Sequence, residues 1–171
     1  MNKIIPSLWF DTQCEEAMNF YVDTFNGAPY KKQESRIVSI TRYEKGMDAP
    51  GAEAMEGKVI TGIFELAGQR FMALDGGPVF QFNEAISLYV ECEDQKEVDY
   101  FWSKLSAVPE SEQCGWCKDR FGLSWQIIPK QLGELMSNTE PLKSKRVINA
   151  MLKMKKIIVA DLQKAYEGGA S

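Results

Sequence analysis

The chain predicts an α+β fold: two βαβββ modules forming a curved sheet around a cleft, followed by C-terminal helices. Three internal echoes carry that reading. Ser7-Leu8-Trp9-Phe10-Asp11 is repeated by Ser87-Leu88-Tyr89-Val90-Glu91, and both alternate as strands do. Met18-Asn19-Phe20-Tyr21 is matched in register by Val98-Asp99-Tyr100-Phe101, and Gly68-Gln69-Arg70-Phe71 by Gly122-Leu123-Ser124-Trp125. Two copies of one supersecondary unit commonly enclose a shared cleft, where small ligands sit. The expected organisation is one domain over 1–129, with module one at 1–77 and module two at 84–129, then a helical extension over 130–171.

Taken in order, residues 3–11 read as a strand with Pro6 near its start. Cys14 to Phe25 reads as a helix with Ala17, Met18, Tyr21 and Phe25 on one face, capped near Thr12 or Gln13 and stopped by Asn26-Gly27. Arg36 to Tyr43 alternates as a strand. Glu44 to Gly57 holds three glycines and a proline and reads as a loop. Lys58 to Leu66 and Gln69 to Leu74 form a hairpin about Ala67-Gly68, and Asp75-Gly76-Gly77-Pro78 breaks the chain between modules. The second module repeats the order: a strand over Ala85 to Cys92, a helix from Asp94 to Leu105 capped by Asp94, and short strands near 112–120 and 123–129. Beyond Pro129, helices are expected over 130–137, 143–155 and 157–166, with Val147, Ala150, Met151 and Met154 at core spacing. They pack on the domain, or on a partner in the alternative reading of a Met-rich interaction module.

Composition limits the chemistry. The chain has 171 residues, 44% of them hydrophobic, and a net charge of −4, which offers no general attraction to nucleic acid or an anionic membrane. Its apolar runs are too short to span a bilayer and its first residues lack a secretory apolar core, so the cytoplasm is the expected compartment. Histidine is absent. That excludes the Ser-His-Asp triad, the Cys-His pair, every histidine metal site and imidazole acid/base work.

The chain resembles the vicinal oxygen chelate, or glyoxalase/bleomycin-resistance, superfamily, and within it the PhnB-like family, also labelled a 3-demethylubiquinone 3-methyltransferase domain. The matching residues are Leu8-Trp9-Phe10-Asp11, Glu16-Ala17 with Phe20-Tyr21, the run from Gly68 to Pro78, Phe82 to Leu88, Cys114-Gly115-Trp116, Lys118 to Pro129, and in the tail Arg146, Ala150-Met151 and Lys156-Ile157, so the resemblance runs over nearly the full chain. The resemblance implies the paired-module fold and a homodimer. Metal-dependent members of the superfamily bind a divalent ion through His and Glu. Their positions fall here near Pro6, Met72, Ile86 and Gln126, where three apolar residues and one amide cannot replace a water shell. No metal and no cofactor are therefore expected. Methyl transfer is not expected either, because no glycine fingerprint follows a strand.

Strand parity places Trp9, Phe71, Tyr89 and Trp125 under the helices as core. The opposite set, Pro6, Leu8, Phe10, Met72, Leu74, Ile86, Leu88, Ser124 and Gln126, would line the concave side. From it, Leu8, Phe10, Met72, Leu74, Leu88, Ser124 and Gln126 are the ligand-binding candidates for a small, mostly apolar or aromatic molecule; simple filling of the barrel is the alternative. An enzyme would need carboxylates, with Glu65 and Asp119 as candidates at equivalent hairpin positions, unless both merely face solvent at turns. Cys114-Gly115-Trp116-Cys117 has redox-motif spacing but sits in a strand context, where residues three apart point to opposite faces.

Overall fold

The computed structural model describes residues 3–48, 52–137 and 140–169. Its contacts divide the chain into two units, Met1–Phe82 and Asn83–Ser171, so the tail beyond residue 129 packs within the second.

The first unit is βαβββ as expected. Strand β1 (Ser7–Phe10) leads to helix α1 (Cys14–Asn26), then β2 (Arg36–Arg42), β3 (Val59–Leu66) and β4 (Gln69–Asp75), ordered β1-β4-β3-β2 in one sheet. The span expected to be a loop at 44–57 contains a one-turn helix, α2 (Ala52–Met55); its residues 49–51 lie outside the described residues. Helix α1 buries Cys14, Ala17, Met18 and Tyr21 on one face of the sheet, with Tyr21 stacked on Phe64 and Phe64 on Phe71. Gln13, at its N-cap, makes no side-chain capping bond. Asp75, at the end of β4, accepts from the Cys14 N–H at 2.8 Å instead and supplies the negative charge a helix N-terminus favours.

The second unit departs from the expected pattern. Strand β5 (Ser87–Cys92), helix α3 (Gln95–Leu105), β6 (Trp116–Lys118) and β7 (Ser124–Pro129) form a three-stranded sheet ordered β5-β7-β6. This module is therefore βαββ, and the strands lie in two sheets, not one continuous curved sheet. The residues between α3 and β6 form a 3₁₀ turn at Pro109–Ser111, and Ala107 N–H donates to the Lys118 carbonyl where a fourth strand would pair. Pro109 has no N–H for a ladder and starts a turn instead. Asp94 caps α3 as expected, accepting from the Glu97 N–H at 3.0 Å, while Glu97 reaches back to the Glu93 N–H.

Three helices follow: α4 (Lys130–Met136), α5 (Pro141–Met151) and α6 (Val159–Glu167). They share a core of Ile128, Leu132, Val147, Ile157 and Leu162, with Met151 and Met154 packed at its edge. Arg146 on α5 donates to the carbonyls of Ala165 and Tyr166, so a cation meets the C-terminal end of α6.

Candidate functional site

In-register partners on neighbouring strands share a face, so the ladders decide which side chains meet. In the second sheet, Trp116, Gln126 and Tyr89 form one row across β6, β7 and β5. Lys118, Ser124 and Ser87 form the next. Both rows lie on the face opposite Trp125, Ile127 and Cys117, which are buried. Tyr89 is 56% exposed, with Trp116 and Gln126 half-buried beside it. The Gln126 amide nitrogen donates to Ser87 Oγ at 2.8 Å, which orients its carbonyl oxygen as an acceptor. Ser124 Oγ is buried without a hydrogen-bond partner, a costly state that a bound polar group would relieve. Lys118 pairs with Glu84.

The candidate ligand set divides by face. Ser124 and Gln126 lie on the face of the second sheet opposite Trp125, Gln126 half-buried and Ser124 covered by the surrounding protein. Leu88 does not: it is in register with Trp125 on the helix side. Tyr89, expected in the core, takes its place on the open face. In the first sheet, Met72 and Leu74 share a face with Ser7 and Trp9, whereas Leu8 and Phe10 pair with Ala73 and Asp75 on the α1 side and are buried. The first strand of each module is thus one residue out of the assumed phase against the last strand, and a one-residue slip moves a whole strand to its other face. The repeat itself is preserved, since Trp9 and Tyr89 are equivalent and both lie on open faces. The signal that could have found Tyr89 and Trp116 was a strand's single-residue spacing from half-buried Leu88 and buried Cys117.

Trp9 is held, not loose. Its indole N–H donates to the Gly77 carbonyl at 2.9 Å, and its ring meets Phe80 edge-on. A side chain at Gly76 would run into that ring, with a Cβ only 2.1 Å from it, so this turn requires glycine.

The two carboxylate candidates are both engaged. Glu65 bridges Arg36 and Arg70 across three strands, at 3.1 and 2.8 Å, and these guanidiniums hold its carboxyl below the usual range. Asp119 is not at a solvent-facing turn: it is 1% exposed, and its carboxylate accepts from the Phe121 and Leu123 N–H groups and from the Trp125 indole. It organises the β6–β7 turn and anchors a core tryptophan. Cys114-Gly115 is a hairpin tip. Both residues have positive φ, as the mirror-image two-residue turn requires, and Gln113 and Trp116 bond to each other across it.

Among the described residues, no group of three His, Cys, Asp or Glu side chains converges as a metal site. At the superfamily's metal positions, Pro6, Met72, Ile86 and Gln126 bring one amide oxygen. The residues present do not fit a divalent ion.

A two-module α+β chain with open-faced sheets belongs to the glyoxalase-type fold class. A family profile described as 3-demethylubiquinone-9 3-methyltransferase matches residues 2–128, and the chain belongs to that family. A PhnB protein from Bacillus cereus is 38% identical, with 75% of this chain covering 99% of that one at a TM-score of 0.58. A protein from Pseudomonas aeruginosa has the same fold at 17% identity and a TM-score of 0.56, with 75% of this chain covering 98% of it. No curated protein matches. Among the described residues no helix is long and apolar enough to cross a membrane.

Proposed function

We propose that this protein binds a small, largely aromatic organic molecule on the open face of its second sheet, without a metal ion. The observation that carries this reading is the row Trp116–Gln126–Tyr89 beside the unpartnered, buried Ser124 hydroxyl. Two aromatic rings supply flat apolar surface, and the Gln126 carboxamide, oriented by Ser87, supplies direction. Leu74 and Met72 offer a second apolar face in the first unit. The resemblance adds a homodimer, and the acidic balance argues against nucleic-acid partners. Residence in the cytoplasm belongs to the same proposal.

Methyl transfer, as the family description has it, is not part of the proposal. The two small sheets lack the doubly wound parallel architecture that presents a glycine-rich turn to a nucleotide cofactor. Acid/base turnover by Glu65 or Asp119 is disfavoured by the donors that already occupy both carboxylates.

The test is native mass spectrometry of the purified protein, with metal analysis of the same sample. A dimer carrying a small-molecule adduct and no stoichiometric metal is expected. The released molecule should then bind Gln126→Leu about ten-fold more weakly. Stoichiometric metal would overturn the metal-free reading, and unchanged affinity in Gln126→Leu would remove that residue from the site.

A further inference from the structure

The family match stops at residue 128, and 75% of this chain already covers 99% of the Bacillus cereus protein. The helical tail therefore lies outside the matched module. Its place on the second sheet follows from β7. Ser124, Gln126 and Ile128 alternate onto the same face. Gln126 is the half-buried residue of β7, and two residues on, Ile128 is 5% exposed and sits in the core that Leu132, Val147, Ile157 and Leu162 build from the tail. The tail core thus covers this face at Ile128, two residues along β7 from Gln126.

The closure is fastened on several sides. Cys114 and Gly115 at the hairpin tip donate their N–H groups to the Met154 and Lys155 carbonyls, at 2.8 and 2.7 Å. Gln95, in the first turn of α3, grips the next residues with its whole amide, donating to the Ile157 carbonyl and accepting from the Val159 N–H. Lys156 pairs with Asp99, and Lys155 reaches Glu112 and the Pro109 carbonyl. The strap 154–159 is tied to both the hairpin tip and α3, so the wall is part of the unit's own packing.

We propose that the tail is the end wall of the binding trough on the second sheet, and that it sets the length of ligand this chain accepts. The proposal rests on the binding reading above. A flat molecule lying from Ser87 and Tyr89 over Gln126 meets Ile128 and the tail core at its far end. Compact aromatic hydroxy compounds fit in front of that wall, whereas extended ones of the same chemistry collide with it. The tail therefore narrows specificity.

Two probes with the same hydroxyl and different length test this: 1-naphthol and 4-phenylphenol, titrated into the ¹⁵N-labelled full chain and followed by amide shifts. The expected result is that 1-naphthol moves the amides of 87–89, 116–118 and 124–126, and that 4-phenylphenol binds about ten-fold more weakly. Ile128→Ala, which shortens the side chain at the wall, and independently Met154→Ala at the edge of the tail core, should bring the two probes within about three-fold. Equal binding of both probes to the unsubstituted chain, or an unchanged ratio in both variants, would overturn the end wall while leaving the binding reading intact. If neither probe moves an amide of the second sheet, the binding reading fails and the wall falls with it.

Discussion

Cysteine chemistry separates by burial. Cys14, Cys92 and Cys117 are buried and Cys114 is half-buried. Burial pushes the Cys14 thiol up to about 12, with the Asp75 carboxylate adding to it, and burial with the Asp119 charge pushes Cys117 up to about 12. A thiol attacks as the thiolate, so these groups are inert near neutral pH. The Cys114/Cys117 spacing is thus a hairpin tip followed by a core residue facing Trp125. Iodoacetamide at pH 8 is expected to add one label, at Cys114, with the other three labelling only after denaturation. Rapid labelling of Cys117 in the folded protein, read by peptide mass spectrometry, would contradict this.

At the level of elements, the β6 hairpin tip is the joint on which the tail depends. Gly115 has φ +84°, and a Cβ there would lie 2.5 Å from Ile128 Cδ1 and 3.2 Å from the Ile127 carbonyl oxygen. Only glycine combines that backbone with that closeness. Gly115→Ala should therefore cost about 2–4 kcal/mol through left-handed strain and overpacking. The drop in the urea midpoint measures it, and an unchanged midpoint would mean that the tail can back away freely. The same region shows why the second module has one strand fewer. The chain turns at Pro109, which cannot donate to a ladder, and the strap at 154–155 takes up the hairpin's backbone donors.

Over the whole molecule, charge joins the tail to the second unit. Residues 130–171 carry eight Lys and Arg against four Asp and Glu, and Lys130, Lys155 and Lys156 pair with Glu93, Glu112 and Asp99. The Lys156 ammonium holds the Asp99 carboxyl below its ordinary value of 3.8. A depressed carboxyl contributes stability above its unfolded-state value and loses it as pH falls through the folded one. The strap is therefore expected to loosen below about pH 4. Thermal unfolding followed between pH 7 and pH 3 should show a smaller acid loss in Asp99→Asn than in the unsubstituted chain. Parallel curves would show that this pair does not hold the tail.

Periodicity and repetition in the sequence determined the α+β class, the two modules, the helices over 14–26 and 95–105, the burial of Phe71 and Trp125, and the placing of Met72, Leu74, Ser124 and Gln126 away from that core. These follow from local spacing, which a strand or helix converts directly into faces. Tertiary structure alone decided how the strands pair. Leu8, Phe10 and Leu88 went to the helix side and Tyr89 to the open side because alternation within a strand says nothing about its phase against a distant partner. It also decided that Asp119 is buried beneath Trp125, that Asp75 caps α1 across 61 residues of chain, and that the tail packs its core on Ile128 at the end of β7. Each depends on groups far apart in sequence, and no local pattern records which of them will meet.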